Sequence, residues 1–375
     1  MNPALGRQLL QRALHLVQTR TTDMADETCA LPASVYVDAA RAEQDLQVLR
    51  RTPVIVAHNS EVAQPGDYVT CEVGGVPVVV LRDDAGQLRA FVNACRHRGA
   101  KLVAPPRGRK LKQLVCPYHA WSYACDGRLT KIPCATAFAG EERRDLHPLP
   151  VLERFGYIFV RADGLHDEQT AAWFDPLEEL DAFGLDTHAQ VLPYERRVEA
   201  NWKLVVDTGL EAYHVRSTHR TTIYKKIFFD NCALVDPLGP HLRIVFPKTN
   251  IVELSDRPRA QWDLRQVAYV GYLLFPNTTL LITPDHVIRM TVFPDGAVAC
   301  RVHVSMLTSA YPASERDWAV AKHNCDLMAR TFDEDFAMAE SIAAGLHAGV
   351  QRQLVLGRME LGLQHFHATL QRSLG

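Results

Sequence analysis

The sequence predicts an α+β chain in which a small all-β segment precedes a segment of antiparallel strands and helices. Three observations carry this reading. From about Pro53 to Arg161, short apolar or alternating runs are cut repeatedly by turn signals. Beyond Asp163 strand-like runs are followed by a helical period over 317–345 and another over 354–373. The length, 375 residues, leaves room for two or three domains with sizeable cores and no need of disulfide staples.

The elements follow in order. Residues 1–22 carry Arg7, Arg12 and Arg20 and no acid, which superficially has the bias of a transit peptide. Leu9, Leu10, Leu14, Leu16 and Val17 fall roughly on one face, so a surface helix is expected. Residues 30–50 read as helical. Strands are expected at Val54-Ile55-Val56, Tyr68-Val69-Thr70, Val78-Val79-Val80, Ala90-Phe91-Val92 and Tyr157-Ile158-Phe159-Val160. Pro77 precedes the third, where a missing N–H is tolerated, and Asp83-Asp84-Ala85-Gly86 makes a hairpin loop. A helix is expected from about Asn201 to Val215, then strands at Gly271–Phe275, Leu280–Thr283, Val287–Phe293 and Ala297–Leu307. The expected domains are 1–50, helices packing on the last domain; 51–163, all-β; and 164–375, α+β.

Composition excludes several classes. Apolar residues make up 47% and charged residues 22%, and 41 basic against 43 acidic residues leave a net charge of −2. Such a chain carries no global field for nucleic acid or membrane. Its longest uncharged apolar run, Val267 to Phe275, is too short to span a bilayer. Nine cysteines, an odd number scattered along the chain, point to a reducing compartment, so a cytoplasmic address is expected.

Four of the possible ligands come in two pairs. Cys95-Arg96-His97 and Cys116-Pro117-Tyr118-His119 are separated by eighteen residues, each pair at a strand end. Zinc accepts two cysteines and two histidines as a structural staple, but its finger spacing segregates the cysteines from the histidines. Here the two types interleave, as C-x-H then C-x2-H. A [2Fe–2S] cluster takes the same four side chains, two thiolates on one iron and two imidazoles on the other. Trp121 and Tyr123 stand close enough to donate hydrogen bonds, although core packing is the plainer role for each. Cys125 and Cys134 are read as buried small apolar residues.

His214 and His219 lie five apart, within a segment that also holds Asp207 and Glu211. On an unbroken helix they would diverge by about 140°, so they converge only if the helix ends between them, for which Arg216-Ser217-Thr218 is the plausible place. Alone, such a pair is most simply one surface and one core histidine. A single-electron carrier on so long a chain changes that reading. Two histidines and a carboxylate with open positions form an oxygen-activating ferrous site, and Asp333-Glu334-Asp335 is the densest acidic spot downstream.

These motifs resemble one family. Cys95-Arg96-His97-Arg98-Gly99-Ala100 with Cys116-Pro117-Tyr118-His119-Ala120-Trp121 is similar to the Rieske signature of ring-hydroxylating oxygenases. Asn201-Trp202-Lys203, Glu211-Ala212-Tyr213-His214 and His219 resemble the mononuclear iron motif of the same family. The resemblance implies a Rieske β-domain inserted in a helix-grip catalytic domain, a [2Fe–2S] cluster on Cys95, His97, Cys116 and His119, and iron on His214, His219 and Asp335. It gives Glu211 the role of relay between the cluster of one subunit and the iron of the next in a head-to-tail homotrimer. Where the family usually has Glu-Asn, this chain has Asp207-Thr208, and Asp207 is kept as a catalytic candidate. The loop from Pro105 to Lys112 is slightly longer than usual.

No G-x-G-x-x-G and no G-x4-G-K-[ST] is present, so NAD(P)H would act only through a partner reductase or ferredoxin. The basic stretch Arg96, Arg98, Lys101, Arg107, Arg109, Lys110 and Lys112 is a dock for an acidic partner or simply a solvated face. His365 and His367 are expected to cap or pack. Tyr269, Tyr272, Phe275 and Phe293 are expected in the core, some lining a pocket. O2 and a small organic molecule are the expected substrates. Glu211-Ala212-Tyr213-His214 leans towards relatives that oxidise quaternary amines, which want an aromatic cage; an aromatic acid would use Arg216, Arg220 or Arg289. A zinc-stapled binding protein without catalysis is the alternative.

Overall fold

The computed structural model describes residues 2–140, 142, 144–165, 168–224 and 227–374. The chain divides into two units, Leu46–Thr170 and Met1–Asp45 with Ala171–Gly375.

The unit Leu46–Thr170 contains three small antiparallel sheets. In the four-stranded one, Leu88–Val92, Val76–Arg82, Tyr68–Val73 and Arg107–Gly108 lie side by side in that order. Gly74 and Gly75, both at positive φ, close the hairpin between Tyr68–Val73 and Val76–Arg82, as a two-residue primed turn requires. The Asp83 loop forms as expected, its carboxylate accepting from the N–H groups of Ala85 and Gln87 at 3.0 and 2.8 Å. Val151–Arg154, Tyr157–Val160 and Val54–His58 form the second sheet, and Leu114–Val115, Ser122–Tyr123 and Leu129–Lys131 the third. Alternation sends Val79, Leu81 and Phe91 into a core shared with Leu114, Tyr123 and Leu129.

The other unit is built on a seven-stranded antiparallel sheet. Its order is Ala189–Val198, Cys300–Thr308, His286–Pro294, Thr278–Ile282, Ala268–Leu274, His241–Pro247 and Leu234–Leu238. The four strands expected from sequence form its centre. Three were missed, and their composition explains it. Ala189–Val198 and Leu234–Leu238 are the two edges and contain Pro193 and Pro237. The first also bulges between Val191 and Tyr194, with Leu192 at φ 48°. His241–Pro247 buries His241 and Arg243, which break its apolar run; Glu179 and Asp236 pair the arginine.

Helix Pro3–Thr19 buries Leu9, Leu10, Ala13 and Leu14 and packs on the edge strand Leu234–Leu238 and its neighbour His241–Pro247. The helix expected over 30–50 is corrected at its start. Cys29–Pro32 is a strand paired with Gln353–Leu356, followed by helices Ser34–Val37 and Ala39–Arg51. The last expected helix is likewise shortened to Leu361–Arg372. Glu315–His347 is one helix, started by a capping box between Ser314 and Asp317. No helix among the described residues is long and apolar enough to cross a membrane.

Helix Trp202–Thr208 packs against both Glu315–His347 and strand His286–Pro294. A buried ion pair fixes it: Lys203, fully enclosed, meets Asp45, which also accepts from Arg41 Nε at 3.1 Å and Trp202 Nε1 at 3.3 Å. A buried cation must have such partners or lose its charge.

Candidate metal centres

In the unit Leu46–Thr170, two loops of nearly the same construction present the paired ligands. The Cys95 N–H donates to Ala100 O and the Gly99 N–H to Cys95 O, both at 2.8 Å. In the second loop the Cys116 N–H donates to Trp121 O at 2.8 Å and the Ala120 N–H to Cys116 O at 2.9 Å. Gly99 and Ala120 take the same left-handed place in the two turns. The His97 and His119 rings lie 4.7 Å apart, and each Nδ1 is buried without a hydrogen-bond partner. Two buried orphan nitrogens are what a pair of imidazoles shows when a metal is their missing partner.

The thiols form the other half of the site. Cys95 and Cys116 are buried, and Tyr123 Oη lies 3.4 Å from Cys95 Sγ. Burial works to raise the Cys116 thiol, but the N–H groups of His119 and Tyr118 and the Cys95 thiol outweigh it and bring the group down, towards thiolate. Burial, His119 and Arg98 lower His97, favouring the neutral ring that a ligand needs. Trp121 stacks on His97 at 5.0 Å. Tyr123 is thus a donor at the sulfur as well as a core residue. Cys125 is buried as expected; Cys134 is exposed, because the single-turn helix Ala135–Phe138 that it opens lies on the surface.

Zinc requires four ligand atoms around one point. Among the described residues, three ligand atoms come within 4.8 Å of one another only at His214, His219 and Asp335. The cysteine–histidine set, sorted into a thiol pair and an imidazole pair, fits two irons better than one zinc.

The histidine–carboxylate trio lies in the other unit. The helix expected through Val215 stops at Thr208, and a separate helix, Val215–Thr218, joins the two histidines. The break therefore falls before His214. Glu211 causes it, its carboxylate accepting from the N–H groups of Tyr213 and His214 and competing with a helical hydrogen-bond ladder. His214 and His219 cap the two ends of Val215–Thr218, and their Nε2 atoms lie 3.2 Å apart. Asp335 Oδ1 stands 3.4 and 3.0 Å from these nitrogens. Asp333 instead faces outward, 3.4 Å from Arg196.

Each imidazole is held from behind. Glu211 Oε1 binds His214 Nδ1, and Glu334 Oε2 binds His219 Nδ1 at 2.7 Å. Thr222 and Thr221 donate to Glu334 at 2.7 and 3.3 Å. Both Nε2 atoms are thereby turned towards Asp335, the arrangement that carboxylates impose on metal-ligating histidines. Burial opposes protonation of both rings, but Glu211 and Asp335 at His214, and Asp335 and Glu334 at His219, raise them overall. Three carboxylates about two imidazoles make a place for a cation, and an iron ion fits the donor set. Glu334 was not anticipated, although it adjoins the chosen ligand in the acidic run.

Asp207 does not face the trio's cavity. It accepts from Tyr36 Oη at 2.7 Å and lies 3.0 Å from His367 Nε2, so His367 packs as expected. The cavity over the trio, about 120 Å³, is walled by Phe228, Phe246, Tyr272, Leu280, Met290 and Phe332, and among the described residues no lysine or arginine lines it. Of the four aromatics named from sequence, Tyr272 alone lines this cavity. Ile288 and Met290 face it, so the alternation of the strand turns Arg289 to the other side. Arg216 and Arg220 do not line the cavity; they line a surface cleft that shares His214 with it.

Comparison with known proteins agrees with this geometry. The family model described as ring hydroxylating alpha subunit (catalytic domain) matches residues 185–375, and that of the Rieske [2Fe-2S] domain matches 52–152. The glycine betaine monooxygenase oxygenase subunit of Chromohalobacter salexigens is 30% identical over 315 residues, 79% of this chain and 65% of the relative. The chain spans about half, 51%, of the corresponding Pseudomonas aeruginosa subunit. The carnitine monooxygenase oxygenase subunit of Escherichia coli is 26% identical, over 92% of this chain and 93% of its own. Among solved structures, a quaternary ammonium Rieske monooxygenase with L-carnitine superposes with a TM-score of 0.76 at 22% identity, over 94% and 97% of the two chains. Naphthalene 1,2-dioxygenase from Rhodococcus gives 0.76 at 20%, over 98% of each. One family model covers the half of the chain that holds the histidine–carboxylate trio and the other the segment that holds the cysteine–histidine pairs, and on that footing the chain belongs to the alpha subunits of the Rieske non-haem iron oxygenases.

Proposed function

We propose that this chain is the oxygenase component of a multicomponent enzyme, taking O2 and electrons from a separate NAD(P)H-dependent reductase or ferredoxin to hydroxylate, dihydroxylate or oxidatively demethylate a small, uncharged, apolar molecule. In this reading residues 51–163 carry electrons, 164–375 hold the reacting centre, and 1–50 pack on the latter. Cys95, His97, Cys116 and His119 hold the cluster; His214, His219 and Asp335 hold iron. The cluster supplies single electrons, and the iron supplies open coordination positions for oxygen chemistry. The protein groups do the rest. Glu211 and Glu334 fix the imidazoles, and Phe228, Phe246 and Phe332 place the substrate and exclude water. Inter-subunit electron transfer is described for a structurally similar monooxygenase, which supports passage of electrons between subunits here; a homotrimer with Glu211 as the bridge is the arrangement proposed for it.

The cavity carries the substrate assignment. Its volume, about 120 Å³, approaches that of the roughly 150 Å³ apolar cavity known to accept benzene, so one ring fits. Among the described residues a carboxylate placed there would meet no cationic side chain, and an unpaired buried charge is strongly unfavourable. That weighs against zwitterions such as betaine and carnitine, the substrates named for the relatives. A second reading, a trimethylammonium group without a carboxylate, draws on the aromatic walls and on Glu211 and Asp335.

Single turnover of the chemically reduced, iron-loaded protein with O2 tests this across uncharged monocyclic arenes, choline-type ammonium compounds and aromatic carboxylates. Product from the arenes is the expected result. Product from the carboxylates alone would refute the charge argument, and a colourless zinc-loaded protein would refute the oxygenase reading.

A further inference from the structure

A second cavity, about 220 Å³, adjoins the first. The two share Thr208, Glu211, His214 and Asp335 and no other lining residue, so these four form a common wall. The cavities differ in chemistry. The first offers few hydroxyls, and those of Thr208 and Thr331 already donate to backbone carbonyls at 2.9 and 3.0 Å. The second is lined additionally by Tyr36, Asp207 and Glu360. Glu360 is half-buried, whereas Tyr36 and Asp207 are buried.

Behind the second cavity lies a closed network. Asp207 accepts from Tyr36 Oη at 2.7 Å, and His367 Nε2 stands 3.0 Å from both Asp207 Oδ1 and Tyr36 Oη. When Nε2–H donates to Asp207, Nδ1 is left as a buried nitrogen with no hydrogen-bond partner among the described residues.

The oxygenase reading, on which this inference rests, creates a demand that the first cavity cannot meet. Placing one oxygen atom of O2 in a C–H bond and releasing the other as water, or placing both in an arene, consumes two electrons and two protons. The donor protein supplies the electrons, and solvent must supply the protons. We propose that the second cavity is the proton inlet of the reaction, holding ordered water that links Glu360 to Asp207 and leads to the common wall. Seven of the fifteen lining residues are apolar, so water is held where Tyr36, Asp207, Glu360 and the common wall supply polar partners, each molecule needing roughly 10–15 Å³ and two to four such partners. Burial, together with the charges of Glu211 and Asp207, raises the Glu360 carboxyl despite its bond from the Gly357 N–H, which suits a group that takes up and releases protons.

Two measurements test the inlet. High-resolution crystals of the metal-free protein should show ordered waters bridging the Glu360 and Asp207 carboxylates; a dry cavity overturns the proposal. Asp207→Asn and Glu360→Gln should each slow product formation in single turnover by about tenfold or more, with a larger solvent deuterium isotope effect and partial rescue of Asp207→Asn by formate. Cluster reduction by dithionite should keep its wild-type rate. Variants within about twofold of wild type with an unchanged isotope effect overturn the inlet. If Asp207→Asn does not fold, Glu360→Gln decides alone. A wild type that yields no product takes down the oxygenase reading and the inlet together, whereas wild-type turnover matched by the variants takes down the inlet alone.

Discussion

Replacing Glu334 by glutamine probes how much of the metal affinity comes from outside the ligand set. Glu334 lies 2.7 Å from His219 Nδ1 and is itself steadied by Thr222 and Thr221. His219 is 2% exposed, so water does not replace a lost partner. Glutamine keeps one acceptor oxygen but not the charge, and its amide nitrogen must turn towards a donor. A hydrogen bond to a charged group contributes about 1.5–3 kcal/mol. At about 1.4 kcal/mol per factor of ten, this corresponds to a loss of roughly ten- to a hundredfold in affinity, the range for partners of metal-bound histidine. Competition between the protein and a chromophoric chelator for Co(II) or Fe(II), with the cluster intact, measures it. Glu334→Asp should fall between the two, and Thr222→Val should lose less than Glu334→Gln. An affinity within about threefold of wild type for Glu334→Gln would refute the assignment.

Four further outcomes follow from the same structure. His241 donates from Nε2 to Trp173 O at 2.9 Å and accepts at Nδ1 from the Phe275 N–H at 3.1 Å, and burial holds it down at about 4. Its stabilising effect is complete above the unfolded value of about 6.5 and is lost as pH falls towards 4, costing about 3 kcal/mol; urea unfolding against pH should show a shallower slope in His241→Gln. A Cβ at Gly362 would lie 2.2 Å from Leu210 O, so Gly362→Ala should destabilise by about 1–3 kcal/mol in thermal unfolding. Phe332→Ala should enlarge the cavity and admit two-ring substrates, read as product from a bicyclic arene. Arg96, Arg98, Lys101, Arg109, Lys110 and Lys112 make no ion pair among the described residues; reversing Arg109 and Lys110 to Glu should slow reductase-driven turnover and spare chemically reduced turnover.

Local signals made the fold and most of the site legible, and what escaped was non-local. The interleaved Cys95/His97 and Cys116/His119 spacing survives in the structure because each pair occupies one tight loop. The central strands showed themselves by apolar runs, whereas Ala189–Val198 and Leu234–Leu238 are edge strands carrying proline. The break after Thr208 was misplaced because a side chain, Glu211, makes it by bonding backbone amides, which hydrophobic periodicity does not register. Glu334 had one signal, its place beside Asp335. The network around Asp207 had none, since its partners Tyr36 and His367 lie 171 and 160 residues away in sequence.

Val215–Thr218 is a four-residue helix, far shorter than the roughly 12 residues at which an isolated helix becomes even marginal. With His214 and His219 at its two ends, a bound ion would close the segment into a ring, as a clasp joins the ends of a bracelet. On the proposed assignment, loading the metal would then also be a folding step, and some of the binding energy would go into ordering this turn. Emptying the site would loosen the segment that carries two of the proposed ligands, so release and local unfolding would become one event, and retention of the metal would be governed by how rarely that single turn opens.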